Sequence, residues 1–131
     1  MNKKILIIED DPDVRLGYHI RLKANNYDTF FAADAFASMS EARKHQPDLI
    51  ILDLGLPAGD GFVVMERLKA ITHLAVIPII VVSARDRREN GDRALKAGAK
   101  AFLQKPVDNN ELLAVIRQLL GEPNGSTQQP S

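Results

Sequence analysis

The chain has 131 residues, 45% of them hydrophobic, which is typical of one globular domain and excludes a chain that is disordered throughout. Its 17 basic and 17 acidic residues balance, so the total charge does not indicate binding to nucleic acid or to a membrane surface. The lack of cysteine excludes disulfides and thiolate metal sites, and no apolar run approaches the ~20 residues that span a bilayer, so we expect a cytoplasmic protein.

Five short apolar runs alternate with helical patterns along the chain. These runs predict strands over residues 5–8, 27–32, 49–53, 77–82 and 101–104. The alternation indicates an α/β fold, a five-stranded parallel sheet with right-handed crossovers and helices on both faces, in a doubly wound (βα)5 arrangement. We expect residues 1–121 to form this domain. Residues 122–131, which lack a large apolar side chain, are expected to be a flexible tail or linker.

Apolar residues at helical spacing lie between the predicted strands. They predict a helix from Asp13 to about Ala24, and further helices over residues 36–45, 61–71, 86–97 and 108–120. Asp13, Asp60 and Asp108 are expected to cap helix N-termini, because a carboxylate can accept the free backbone N–H groups there.

An acidic residue ends the third predicted strand. Residues 49–52 are all Leu or Ile, which favours a strand buried on both faces, and Asp53 follows at once. Ligands of open α/β sheets bind at the carboxyl ends of the strands, and an isolated buried carboxylate is costly. We therefore interpret Asp53 as a functional group that performs phosphoryl chemistry, with Pro57 fixing the loop behind it.

Polar residues also follow three of the other four predicted strands, namely Glu9, Asp10 and Asp11 after the first, Ser83 after the fourth and Lys105 after the fifth. Because the carboxyl ends of parallel strands share one edge of the sheet, we expect most of these groups to converge on Asp53. Asp11 is interpreted as a solvated loop acid.

The electrostatics of such an acid cluster favour a bound cation. Two carboxylates about 5 Å apart repel by roughly 3 kcal/mol at an effective dielectric constant of about 20. Oxygen ligands without His or Cys favour Mg²⁺, Mn²⁺ or Ca²⁺. With a metal bound, one acid could attack phosphorus while Lys105 neutralises phosphoryl oxygens and Ser83 donates a hydrogen bond.

Four segments together resemble the receiver domains of two-component response regulators. They are residues 5–12, residues 52–57 with Asp60 and Gly61, residues 81–84, and residues 97–106. The resemblance covers residues 3–120. It implies a flavodoxin-like fold of the receiver type and a regulatory, phospho-accepting domain that promotes its own phosphoryl transfer and dephosphorylation.

The resemblance also implies a role for each matching residue at the acidic site. Asp53 resembles the phospho-accepting aspartate and a metal ligand. Asp10 resembles a direct Mg²⁺ ligand, Glu9 a ligand acting through water, and Gly55 a ligand through its backbone carbonyl. Mn²⁺ is expected to substitute for Mg²⁺.

Three further residues resemble the switching groups of the family. Ser83 resembles the hydroxyl that reorients toward the phosphoryl group, and Lys105 the lysine that pairs with it. The peptide bond from Lys105 to Pro106 is expected to be cis. Phe102 falls on the switch aromatic position and is expected to turn inward on phosphorylation. Ser83 and Phe102 stand where Thr and Tyr are commoner in the family, and Phe102 cannot donate a hydrogen bond.

The resemblance implies partners as well. A sensor histidine kinase or a histidine phosphotransfer protein is expected to donate the phosphoryl group. Phosphorylation is expected to change the face formed by the fourth helix, the fifth strand and the last helix, through which the chain could form a homodimer. We expect an unidentified output domain or target protein, with no membrane association and no direct nucleic acid contact by this domain.

The residues at the strand ends also bear on three alternative functions. A haloacid-dehalogenase-type phosphatase would carry a second acid two positions after Asp53, where this chain has Gly55. A flavodoxin-like cofactor binder would need a phosphate loop after the first strand, where Glu9 and Asp10 would repel a phosphate. A receiver that binds without phosphorylation would not need the complete set of site residues.

Overall fold

The computed structural model of the chain describes residues 2–56 and 61–123. Three sequence predictions lie outside these residues. They are the loop role of Pro57, the helix cap at Asp60, and the tail from residue 124 onward.

In the residues that the structure describes, five parallel strands form one sheet. They are β1 (Lys4–Ile8), β2 (Asp28–Ala32), β3 (Leu49–Leu52), β4 (Ile79–Ser83) and β5 (Ala101–Gln104). Their order across the sheet is β2-β1-β3-β4-β5, and every neighbouring pair is parallel. The order turns back at β1, which is next to both β2 and β3. The predicted doubly wound (βα)5 fold is confirmed.

Within the described part of the chain, five helices of more than one turn connect or follow the strands. They are α1 (Pro12–Ala24), α2 (Ala35–His45), α3 (Gly61–Lys69), α4 (Arg87–Lys96) and α5 (Asn109–Leu119). A one-turn helix, Thr72–Ala75, follows α3. The sequence pattern wrongly extended α3 to residue 71 and gave no signal for this extra turn.

The sheet separates two hydrophobic layers. Residues of β3 alternate between them, because Ile50 and Leu52 join the layer under α2, α3 and α4, whereas Leu49 and Ile51 join the layer under α1 and α5. All four side chains are almost completely buried. A strand covered on both faces explains the unbroken apolar run that precedes Asp53.

Asp11, not Asp13, caps α1. The Asp11 carboxylate accepts hydrogen bonds from the backbone N–H groups of Asp13 at 2.8 Å and Val14 at 3.4 Å. The predicted cap was therefore two residues too late, and Asp11 is more than a solvated loop acid. The physical reason is Pro12, whose fixed φ and missing N–H suit the first helical position directly after the cap. Asp108 caps α5 as expected, accepting from the Asn110 N–H.

The two tyrosines of the chain pack in the layer under α1 and α5. The Tyr27 hydroxyl donates a 2.6 Å hydrogen bond to the carboxylate of Glu122, the first residue of the predicted tail. Burial first, and then the Glu122 carboxylate, raise the pKa of Tyr27 to about 12. Burial likewise raises the pKa of Tyr18 to about 12.

Gly61 allows α3 to begin against the loop after β3. A Cβ at this position would lie 2.6 Å from the Leu54 Cα and 2.9 Å from the Asp53 carbonyl oxygen, and backbone atoms cannot rotate out of the way. We expect Gly61→Ala to lower the free energy of unfolding by about 2 kcal/mol, measured by urea denaturation. Gly17→Ala is the matched control, because nothing lies within 4 Å of a Cβ built there. Equal stability of the two variants would contradict this steric account.

Candidate functional site

The carboxyl ends of four strands bring the predicted site residues to one edge of the sheet. Glu9 and Asp10 follow β1 directly, Asp53 follows β3, and Lys105 follows β5. Ser83 is the last residue of β4, whereas the sequence pattern predicted that it lies one residue beyond the strand. The convergence expected from the strand order is thus present.

Three carboxylates form a compact cluster at this edge. Glu9, Asp10 and Asp53 each offer an oxygen, and these oxygens lie within 4.8 Å of one another. Glu9 is buried with 3% of its surface exposed, Asp53 is half-buried and Asp10 is exposed. An exposed acid beside two shielded acids gives a hard, all-oxygen donor set that is open to solvent on one side, which fits Mg²⁺.

Lys105 is the cation that this cluster already contains. Its Nζ donates a 2.9 Å hydrogen bond to Glu9 Oε1 and a 3.3 Å hydrogen bond to Asp53 Oδ2. Among the described residues, one ammonium group faces three carboxyl groups, so the site holds an excess of acidic groups. This excess is the electrostatic reason for it to attract a divalent cation.

The same contacts shift the pKa values of Glu9 and Lys105. Burial raises the pKa of the Glu9 carboxyl above its ordinary value, and the hydrogen bond from Lys105 only partly offsets this. Burial by itself lowers the pKa of Lys105, but the Glu9 hydrogen bond and the Asp53 charge outweigh it and raise the pKa. Lys105 therefore remains charged over the whole physiological range.

The backbone after β3 orients the Asp53 carboxylate. The Gly55 N–H donates a 2.9 Å hydrogen bond to Asp53 Oδ1, and the Asp53 N–H donates to the Ile8 carbonyl at 3.0 Å. The two Asp53 carboxylate oxygens thus have different hydrogen-bond donors, the Gly55 N–H for Oδ1 and the Lys105 Nζ for Oδ2. A Cβ added at Gly55 would lie 3.5 Å from Oδ1, an ordinary contact distance. The glycine thus leaves open space beside the carboxylate.

Ser83 and Phe102 occupy the neighbouring strands β4 and β5. Ser83 is 1% exposed, and its Oγ accepts a 3.1 Å hydrogen bond from the Arg85 N–H, which ties it to the loop after β4. Phe102 is 4% exposed and lies in the hydrophobic layer under α2, α3 and α4, so its ring already faces inward. The expected cis bond between Lys105 and Pro106 is present.

The sequence reasoning missed a contact of Arg15 with this site. Its Nη1 donates a 3.3 Å hydrogen bond to the Glu9 carbonyl oxygen, from the first turn of α1. Helical side chains point back toward the N-terminus, so the position of Arg15 just inside α1 was the available signal. The three histidines are not part of the cluster, and His45 instead stacks on Phe30 with ring centroids 3.8 Å apart.

A doubly wound sheet with acidic groups at its carboxyl edge is typical of phospho-accepting regulatory domains. A match to a known protein family agrees with this class. The family described as "Response regulator receiver domain" matches residues 5–117. The chain therefore belongs to the response regulator receiver domain family of two-component systems.

Curated relatives place the chain among response regulators. It is 39% identical over 117 residues to the DNA-binding dual master transcriptional regulator RpaA of Synechocystis, an alignment covering 89% of this chain and 48% of the relative. It is 37% identical to the KDP operon transcriptional regulatory protein KdpE of Escherichia coli, and that alignment covers 94% of this chain and 53% of KdpE. The response regulator PleD of Caulobacter vibrioides is 35% identical, and that alignment covers 91% of this chain and 26% of PleD. The chain spans about half or less of the length of these relatives.

Solved structures of receiver domains share the fold. A CheY-like receiver domain protein from Methanospirillum hungatei has a TM-score of 0.85 and 27% identity, covering 92% of this chain and 95% of that one. The receiver domain of the Pseudomonas aeruginosa sensor histidine kinase PA1611 has a TM-score of 0.84 and 25% identity, covering 93% and 100%. That structure has a magnesium ion coordinated in the active site cleft. Among the described residues of the present chain, no helix combines the length and apolarity required to cross a membrane.

Proposed function

We propose that this receiver domain is a phosphorylation-controlled switch that accepts a phosphoryl group on Asp53. The donor is the phosphohistidine of a sensor histidine kinase or of a histidine phosphotransfer protein. One observation carries the proposal, namely that the Asp53 carboxylate lies between two further acids and Lys105 at the carboxyl edge of the sheet. Family membership supports it.

The transfer is a substitution at phosphorus. An Asp53 carboxylate oxygen forms a bond to phosphorus while the bond from phosphorus to the histidine nitrogen breaks, and the electron pair leaves with the imidazole. Asp10, Asp53 and the Gly55 carbonyl would hold Mg²⁺, with Glu9 acting through water, and Mn²⁺ would substitute. Bound there, the metal supplies positive charge to the phosphoryl oxygens.

The switch would use Ser83, Lys105 and Phe102. The Ser83 hydroxyl now accepts a hydrogen bond from the Arg85 N–H, and it would donate one to the phosphoryl group on reorienting. Lys105 would move its hydrogen bonds from the carboxylates to the phosphoryl oxygens. Phe102 would retain the buried position that it already occupies, so phosphorylation would stabilise the inward ring rather than create it.

These changes would alter the conformation of the face formed by α4, β5 and α5. Shifting a two-state population from 1:99 to 99:1 needs about 5.5 kcal/mol of differential stabilisation, which a new dianion with a metal and two dedicated partners could supply. We propose that this face contacts the output domain or target protein, or pairs in a phosphorylation-dependent homodimer. In this proposal the domain is cytoplasmic and does not contact nucleic acid or a membrane itself.

Phosphoryl uptake tests the proposal directly. The protein would be incubated with acetyl phosphate and Mg²⁺, and its intact mass measured. We expect one phosphoryl adduct with Mg²⁺ and none when EDTA replaces the metal. An unmodified mass under both conditions would refute the proposed function.

Gly55 is expected to control how fast the phosphoryl group is lost. Its missing side chain leaves the Asp53 carboxylate open to an attacking water, so wild type should hydrolyse its acyl phosphate quickly. Gly55→Asn and Gly55→Lys should slow the loss severalfold by covering that approach. Phosphate release from the phosphorylated protein measures this. Unchanged rates in both variants would refute the shielding role of position 55.

A further inference from the structure

A groove between α2 and α3 lies apart from the phosphoryl site and from the face formed by α4, β5 and α5. Its volume is about 810 Å³. Its apolar lining includes Phe36 and Met39 of α2 and Ala70 and Ile71 after α3. This volume is within the range of ligand-binding clefts, about 300–1,000 Å³.

Phe36 is the most exposed large hydrophobic residue of the described chain. It lies in the first turn of α2 with 83% of its surface exposed, whereas Met39, one turn later, is 8% exposed. Met39 thus forms part of the floor of the groove and Phe36 one wall. An aromatic side chain left in water beside a concave apolar floor is a typical anchor point for another protein.

The other end of the groove is cationic. Arg43 and Lys44 of α2 and Arg67 of α3 line it, and none of the acidic side chains that the structure describes does. All three cations are exposed, and none of them forms an ion pair with a carboxylate among residues 2–56 and 61–123. The groove therefore offers three exposed positive charges next to its apolar end.

The order of these residues along α2 indicates the shape of the occupant. Phe36, Ser40, Arg43 and Lys44 are spaced i, i+4, i+7 and i+8, so they form one stripe along the helix. The stripe is about 12 Å long at 1.5 Å per residue. An amphipathic helix laid beside it would meet apolar groups first and cations about two turns later.

We propose that the groove between α2 and α3 binds an acidic amphipathic helix of a partner protein. Apolar side chains of that helix insert between Phe36 and Ile71, and its carboxylates pair with Arg43, Lys44 and Arg67. The groove has an apolar floor that a nucleic acid backbone would not fill, and its concave shape fits protruding side chains better than a flat lipid surface. Binding does not require the phosphoryl group, so the proposal is independent of the proposed function.

The test uses two displayed libraries of helical peptides. Both randomise apolar residues at i, i+3, i+4 and i+7, and the flanking positions carry Glu or Asp in one library and Lys in the other. We expect enrichment on the wild-type chain from the acidic library alone. Amide chemical-shift changes caused by the selected peptides should map to α2 and α3.

Matched variants locate the binding. Phe36→Ser should weaken the selected peptides at least about fivefold. The double variant Arg43→Glu with Arg67→Glu should weaken them at least about tenfold. Arg88→Glu reverses an exposed cation on α4 and should change affinity less than about twofold, and Asp53→Asn should bind like wild type.

Three results would overturn the proposal. They are equal enrichment of the Lys library, an equal loss of affinity in Arg88→Glu, and shift changes outside α2 and α3. Vesicles containing anionic lipid should leave the amide shifts of the groove unchanged. If they shift these amides where peptides do not, the groove is a lipid-binding surface and the proposal is wrong.

Discussion

Asp53→Asn is expected to take up no phosphoryl group from acetyl phosphate and Mg²⁺ under conditions where wild type forms an adduct. The amide cannot act as the oxygen nucleophile, although it is nearly isosteric with the carboxylate and can still accept the Gly55 hydrogen bond. Intact mass spectrometry measures the effect, which should be a complete loss rather than a reduced rate. Removing one of three clustered acids should leave the fold intact, and far-ultraviolet circular dichroism would show this.

Asp92→Asn is the matched control, because Asp92 is an exposed acid on α4. It should form the adduct as wild type does. An adduct on Asp53→Asn would assign the phosphoryl group to another residue, and loss of the adduct from Asp92→Asn as well would show that the loss is not specific to position 53. The first outcome would leave the family assignment intact and refute the assignment to Asp53.

Lys105→Met is expected to lower the free energy of unfolding by about 2–3 kcal/mol and to abolish the phosphorylation-dependent change on α4, β5 and α5. The buried Glu9 carboxylate would lose its 2.9 Å partner, and the phosphoryl group would lose its cation. The stability loss is below that of a fully buried pair because 26% of the Lys105 side chain is exposed. Urea denaturation in EDTA measures stability, and amide shifts with beryllofluoride measure switching.

The stability loss should depend on pH in a defined direction. The pKa of Glu9 is already raised by burial, and without Lys105 it should rise further. A raised carboxyl pKa gives stability that is present below the ordinary pKa of 4.5 and lost as pH rises through the folded value. The free energy of unfolding of Lys105→Met should therefore approach that of wild type near pH 4 and become lower than that of wild type toward pH 7.

Lys96→Met is the control for charge removal, since Lys96 is exposed at the end of α4. It should change neither stability nor switching measurably. A Lys105→Met variant that matched wild type across the pH range would show that Lys105 does not stabilise the acidic cluster.

Periodicity was enough to predict the layers of the fold but not its fine boundaries. The run at residues 49–52 predicted a doubly buried strand because parallel sheets impose that pattern, and the structure has it. The one-turn helix Thr72–Ala75 could not be predicted, because four residues are too few to show helical periodicity. The predicted cap of α1 at Asp13 was wrong because Pro12 suits the first helical position, which makes Asp11 the capping residue.

The candidate site was predictable to the level of residues because parallel topology places all strand ends on one edge. Glu9, Asp53 and Lys105 meet as expected. The sequence could not predict that one Asp53 oxygen accepts from the Gly55 N–H and the other from Lys105, since these hydrogen bonds depend on the loop geometry. It also could not give the inward position of the Phe102 ring, because side-chain packing decides that position.

The two tyrosines, of which Tyr27 is buried and Tyr18 half-buried, provide an optical signal for unfolding. The chain has no tryptophan, so Tyr18 and Tyr27 dominate its near-ultraviolet absorbance. Each has its pKa raised from 10.0 to about 12 in the folded protein. Between these values the phenols ionise more readily in the unfolded chain than in the folded chain, so tyrosinate absorbance rises on unfolding. By the same linkage, alkali destabilises the fold progressively above pH 10, as each phenol releases its proton more readily from the unfolded chain.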